Sequence, residues 1–180
     1  MSEQSGAQWC TRFPTSAFID DLVDPFRTAV HRFVDALRAG GATVTISATY
    51  RPPERAYLMH WCCMIADTGQ DPATVPPMAG VDIDWTHGGD IEDARDAAMD
   101  MKMAYRIRFP AALHSRHTQR LAIDMAIAVP AGSVILDATG ARHNIDTPAT
   151  GPDPRIVAIG VTYSVIKLRT DPPHWSSDGH

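Results

Sequence analysis

The chain has 180 residues, 44% of them apolar, which is the size and composition of one globular domain with a core of its own. Its 16 basic and 21 acidic side chains give a net charge of -5, and the arginines are scattered rather than gathered into a stripe that follows phosphates, so no nucleic-acid partner is expected. No stretch approaches the roughly 20 apolar residues that span a bilayer, so no transmembrane segment is expected either.

The opening MSEQSGAQWC lacks the charged-then-apolar order of a secretory signal, which predicts synthesis in the cytoplasm without a signal peptide. Residues 1–15 are polar and mixed and read as a loosely ordered lead-in. From Leu22 onward, Phe26, Val30, Phe33, Val34 and Leu37 recur at three and four residue intervals, the spacing of one helix face, and Gly40 with Gly41 ends the helix. TVTISATY at 43–50 alternates and is β-branched, as in a strand, and delivers Arg51 to the strand's end.

Pro52 and Pro53 open a second helix over 54–68, while the prolines and glycines of 67–90 predict an irregular loop insertion. Residues 91–106 form a third helix, with acids early and bases late as its dipole prefers. LAIDMAIAV at 121–129 and SVILD at 133–137 read as strands paired across Pro130–Gly132. Residues 154–168 keep helical spacing at Ile156, Ile159, Tyr163 and Ile166, and the tail RTDPPHWSSDGH is too proline-rich for a regular element. The expected architecture is α+β, a small antiparallel sheet flanked by helices, in one domain over 1–180.

Three segments carry candidate chemistry: SATYRPPER at 47–55, SRHTQRLAID at 115–124 and DPPHW at 171–175. A lone loop histidine is ordinarily a surface or hydrogen-bonded residue, and it is the combination that points further. Together the segments resemble the lysostaphin, D-Ala-D-Ala metallopeptidase and hedgehog superfamily, in its D-alanyl-D-alanine carboxypeptidase and L-alanyl-D-glutamate endopeptidase branch. The resemblance lies in an Arg after a strand (Arg51), then Ser-x-His with an Asp seven residues later (Ser115, His117, Asp124), then an acid three before His-Trp (Asp171, His174, Trp175). It runs from about residue 22 to the C-terminus and matches nothing in 67–90.

The resemblance implies a hedgehog/D-Ala-D-Ala peptidase-like fold and a zinc peptidase that hydrolyses peptidoglycan stem peptides, with His117, Asp124 and His174 as metal ligands. Two imidazoles and one carboxylate leave a fourth position for water, whose pKa a zinc ion lowers toward ~7. Asp171 takes the role of general base and Arg51 pairs with a substrate carboxylate or the developing oxyanion. Ser115 orients the His117 loop and Trp175 packs beside the site.

The chain departs from the family pattern at Arg120, where a Gly is common, and at Arg55, near a common Gln. These changes predict that Arg55, Arg116 and Arg120 recognise acidic groups of the stem peptide. Asp rather than Glu at 171 favours an endopeptidase, as a phage lysin or an antibacterial effector. Action on the wall then requires release from or delivery out of the cytoplasm, and secretion machinery or an immunity protein are possible partners. A D-Ala-D-Ala dipeptidase and a non-catalytic hedgehog-like zinc-binding module remain open as alternatives.

Other groups are read blandly. His114 lacks the seven-residue spacing to Asp124. Asp82, Asp84, His87 and Asp90 read as a solvated acidic loop, His60 as a satisfied core histidine, and His180 as a frayed end. Cys10, Cys62 and Cys63 are an odd count without a disulfide framework, the adjacent pair reading as buried inert thiols.

Overall fold

The computed structural model describes residues 2–180. Its regular elements run β1 (Glu3–Gln4), α1 (Phe26–Ala39), β2 (Thr43–Ala48), α2 (Pro53–Cys63), β3 (Ile83–Asp84), α3 (Ile91–Tyr105), β4 (Ala122–Val129), β5 (Ser133–Leu136), β6 (Arg142–Ile145), β7 (Ala149–Thr150), α4 (Pro154–Thr162), β8 (Ile166–Lys167) and β9 (His174–Ser176). The fold is α+β, with helices and small, mainly antiparallel sheets. Two compact units divide the chain: Met1–Pro14 with Arg51–Ser115, and Thr15–Tyr50 with Arg116–His180.

The first unit is built on α2 and α3, whose Tyr57, Leu58, Cys62, Cys63, Ala98 and Met101 bury together with Ile65, Val81 and Trp85. Of the lead-in over 1–15 that was expected to be loose, residues 3–11 are tied down here. Glu3 and Gln4 pair in parallel with Ile83 and Asp84, and Trp9, 2% exposed, packs into this core. Burial of one indole outweighs the polar composition of its neighbours. The 67–90 segment carries only short elements, and it is held by the Tyr57 hydroxyl donating to the Pro76 carbonyl at 3.0 Å and the Trp85 indole donating to Tyr57 at 3.2 Å. Cys62 and Cys63 are buried and unbridged, and burial pushes both thiols up, as inert core cysteines require. His60 donates through Nδ1 to the Ala111 carbonyl at 2.9 Å.

The second unit holds the larger sheet, in the order β2-β4-β9-β8 with β7 also on β4, every pair antiparallel. Strand alternation sorts β4 into two faces. Ile123, Met125, Ile127 and Val129 face a core shared with Phe26, Val30, Phe33, Val34 and Leu37 of α1 and with Ile156 and Ile159 of α4. Helix α1 starts at Phe26 rather than Leu22 because Pro25, which lacks an amide proton, is admitted only at the helix start.

Three expectations are corrected. β5 pairs with β6, not with β4: the turn at Pro130–Gly132 leads the chain out of the larger sheet, and the Gly132 amide, at φ +80°, donates to the Ile145 carbonyl at 2.8 Å. The 154–168 helix stops at Thr162, since Ser164 takes a left-handed conformation and the chain returns as β8. The proline-rich tail does contain a strand, because β4 and β8 offer β9 hydrogen-bonding edges on both sides.

Trp175 is the central piece of this core, fully buried with its ring 5.4 Å from that of Phe33. It lies against Gly160, where an added Cβ would come within 2.7 Å of the indole and 2.8 Å of the Val165 carbonyl. Alanine usually stabilises a helix relative to glycine by about 1 kcal/mol. Here Gly160→Ala is expected instead to cost about 1–3 kcal/mol through overpacking, read from the urea midpoint. An alanine variant at or above wild-type stability would contradict the close approach.

Candidate metal centre

Register brings the first two site residues together. Asp124 of β4 pairs with His174 of β9, one step beyond the Ile123–Trp175 pair, so their side chains share the face of the sheet opposite the core. On its other side Asp124 faces Ala48 of β2, where a bulge at Ser47 shifts the ladder and the Ser47 hydroxyl donates to the Asp124 carbonyl at 3.3 Å. Such bulges re-aim side chains at strand ends.

His117 comes from the turn that enters β4. The Leu121 amide donates to the Arg116 carbonyl at 2.8 Å and the Arg120 amide to the His117 carbonyl at 3.2 Å. Closing this turn requires Arg120 in the left-handed region, at φ +62°. A residue with no Cβ takes that conformation at no steric cost, which is the physical reason a glycine suits the position and an arginine departs from it.

The inward-facing atoms converge. His117 Nε2 lies 3.1 Å from Asp124 Oδ1 and 3.2 Å from His174 Nδ1, and His174 Nδ1 lies 3.0 Å from the same carboxylate oxygen. His117 and His174 are 3% and 7% exposed. The outward nitrogens fix the tautomers. His117 Nδ1 is 2.8 Å from the Thr49 carbonyl and His174 Nε2 is 3.2 Å from the His180 carbonyl. A carbonyl only accepts, so in each neutral ring the outward nitrogen carries the proton and the inward one presents a lone pair.

Two lone pairs and a carboxylate oxygen at this separation repel unless they share a positive charge. The three edges of such a triangle also cannot all be ordinary hydrogen bonds, because protons placed inward on the carboxylate oxygen would leave the edge between the two nitrogens without one. A small divalent ion with bonds of about 2.0–2.1 Å in tetrahedral array sets donors roughly 3.3 Å apart, close to the observed edges. The residues present therefore fit a metal, and His117, Asp124 and His174 form the one such group among the described residues. Burial alone raises the Asp124 carboxyl, but donation and positive charge from the two histidines prevail and hold it well below the usual carboxylate range, which requires positive charge at the inward nitrogens, the place a metal ion takes when both rings are neutral.

The remaining site candidates divide. Asp171 sits in the turn before β9 with its side chain exposed and its carbonyl accepting from the His174 amide at 3.1 Å, which leaves the carboxylate outside the ligand cluster. Trp175 faces the core rather than the candidate metal centre, since strand alternation points it away from His174. Arg51, half-buried, and Ser115, half-buried, belong to the first unit.

The arginines expected to read acidic peptide groups have other occupations. Arg116 grips the Asp178 carboxylate through Nε at 3.1 Å and through a second nitrogen, and donates to Gln119 at 2.7 Å. Arg120 stacks 4.2 Å over the Tyr50 ring, and Arg55 donates to the Cys10 carbonyl at 3.1 Å while stacking over Tyr105. The acidic loop is likewise employed internally. Asp84 accepts from Thr86, Asp90 caps α3, and His87 Nε2 is 2.9 Å from the Ser5 hydroxyl.

Sequence reasoning missed Thr49, Ser176 and the tail that supports His174. Thr49 is fully buried, with its amide and hydroxyl donating to Ser16 and Phe18 carbonyls at 2.7 and 2.9 Å, so the carbonyl that orients His117 is itself fixed. The Ser176 hydroxyl accepts from the Gly179 and His180 amides at 2.8 and 3.0 Å, which holds His180 in place. A serine two residues past the second histidine was the available signal for this turn.

No family model, curated protein or solved structure matches the chain.

The left-handed turn gives a direct test. Arg120→Gly exchanges conformational strain against backbone entropy and is expected to leave stability within about 1 kcal/mol of wild type, whereas Arg120→Val, β-branched, is expected to lose about 1–2 kcal/mol. Thermal melts of the two variants decide it, and equal tolerance of valine and glycine would contradict the turn geometry.

Proposed function

We propose that the chain is a zinc-dependent peptidase of the D-alanyl-D-alanine carboxypeptidase and endopeptidase type, with a hedgehog/D-Ala-D-Ala peptidase-like fold, that cleaves peptidoglycan stem peptides. The observation that carries the reading is the buried convergence of two tautomer-locked histidine nitrogens and one carboxylate oxygen, His117, His174 and Asp124, with edges of 3.0–3.2 Å. A ligand set of two His and one carboxylate leaves a coordination position open, as catalytic rather than structural zinc sites do. When bound there, zinc supplies Lewis acidity, lowering the pKa of a water toward ~7 and polarising a carbonyl.

The chain's own residues supply the rest. Asp124 offers the carboxylate oxygen that both imidazoles face. The Thr49 and His180 carbonyls hold the two rings so that no rotation is needed when the ion enters. Asp171, on the same turn as His174 and exposed to solvent, is the candidate general base. It takes a proton from the attacking water and returns it to the leaving amine. By the resemblance, Arg51 pairs its guanidinium fork with a substrate carboxylate or the oxyanion. Endopeptidase cleavage is favoured over carboxypeptidase cleavage by Asp at 171, and the physiological setting is a phage lysin or an antibacterial effector.

Digestion of purified peptidoglycan, with released muropeptides identified by mass spectrometry, tests this reading. New peptide termini are expected with the wild-type protein, lost on chelation and restored by zinc. Asp171→Ala is expected to lower the rate at least 100-fold while retaining metal, in the range typical of a removed general base. Intact muropeptides from a zinc-loaded protein would contradict the peptidoglycan assignment. They would direct attention to a free D-Ala-D-Ala dipeptide or to a binding module.

A further inference from the structure

Lys167 is the only Lys, Arg, Asp or Glu in the buried set among the described residues, at 6% exposed. Lysine is almost never fully buried without a partner. Its partners here are not carboxylates. The ammonium donates to the carbonyls of Leu168, at 2.6 Å, of Asp171, and of His174, at 2.8 Å, so all three of its protons are placed.

Each of those carbonyls also accepts a backbone amide of the same loop. The Asp171 amide donates to Leu168, the His174 amide to Asp171 at 3.1 Å, and the Leu168 amide back to His174 at 3.1 Å. The three bonds close a ring around residues 168–174, with the ammonium at its hub. Two carbonyls of that ring belong to Asp171 and His174 themselves. The arm of Lys167 reaches the hub alongside Trp175, its nitrogen 5.6 Å from the indole centroid. Burial pulls the ammonium down from its ordinary pKa, and the carboxylates of Asp171 and Asp124 work against that.

An ammonium is an unusual choice for a purely mechanical staple, since a fourth backbone turn or an ordered water can satisfy carbonyls at lower desolvation cost. What the charged hub adds is a single rigid link between the ligand and the base. A shift of the loop displaces the His174 ring and the Asp171 carboxylate together.

We propose that Lys167 is the positioning residue of the metal centre, setting the 168–174 loop so that His174 presents its Nδ1 lone pair and Asp171 its carboxylate in one fixed relation. The inference rests on the metal reading of His117, Asp124 and His174. Outer partners of metal ligands typically govern metal affinity by 10–100-fold.

The test compares Lys167→Met, which keeps the apolar arm and removes the donors, with Lys167→Gln, which retains an amide donor, and with Ile145→Val in the core away from the site. The readouts are zinc dissociation constant by chelator competition at low temperature, the visible spectrum of the cobalt-substituted protein, and melting temperature. Lys167→Met is expected to weaken zinc at least 10-fold and to alter the cobalt bands, Lys167→Gln to fall between it and wild type, and Ile145→Val to lower the melting temperature with zinc affinity and spectrum unchanged. Should Lys167→Met not fold, the glutamine variant is read by the same criteria. A lysine variant that binds zinc within twofold of wild type with an unchanged cobalt spectrum overturns the proposal alone. Wild-type protein that takes up neither metal overturns it together with the metal reading.

Discussion

Two imidazole lone pairs and a carboxylate oxygen held 3.0–3.2 Å apart on the face of the sheet opposite the core repel one another, and the contacts to their outer atoms maintain that arrangement rather than relieving it. Either ring could point a proton inward if its outward nitrogen were free. The Thr49 and His180 carbonyls forbid this in the neutral form, and both carbonyls are in turn fixed by their neighbours. A fold that stabilised only itself would gain by releasing either contact. The arrangement is understandable as preorganisation for a shared cation, with the cost of ordering the ligands met in folding.

The sheet makes this possible by alternation. On β9, His174 faces the site and Trp175, one residue later, anchors the core. On β4, Asp124 faces the site while Ile123 and Met125 anchor the same core. The candidate metal centre thus lies on the reverse side of the sheet from the core of the second unit. Rigid strands hold ligands more closely than loops do. The third ligand, His117, comes from a loop, and that loop is the one that accepts a left-handed arginine to close.

Much of this was legible in the sequence where the signal was local. The three and four residue spacing of Val30, Phe33, Val34 and Leu37 marked α1, and alternation marked β2 and β4, because each pattern records a face that one element must bury. Pairing was not legible. Pro130–Gly132 has the composition of a hairpin turn, yet β5 finds its partner in Arg142–Ile145, a stretch too polar to read as a strand. β9 was hidden by the prolines before it, since its strand conformation is imposed by β4 and β8 rather than by its own residues.

The three candidate ligands were named from a resemblance, not from spacing alone, and their side chains do converge. Apart from Ser176, their supports had no sequence signature, because Thr49, His180 and the loop around Lys167 contribute backbone carbonyls that every residue possesses. The internal contacts of the arginines were hidden for the opposite reason. Charge was visible in the sequence, but the Asp178 carboxylate, the Tyr50 ring and the Cys10 carbonyl that occupy Arg116, Arg120 and Arg55 were not.

The most direct measurement is metal stoichiometry: apo protein titrated with zinc, bound metal counted after removal of excess, and Asp124→Asn, which keeps the shape of the ligand and removes its charge, run beside it. The account predicts one zinc per chain in the wild type, and its loss in a variant whose circular dichroism is unchanged. A wild-type protein that binds no zinc, or an asparagine variant that binds it equally tightly, would contradict the assignment of His117, Asp124 and His174 as a metal centre.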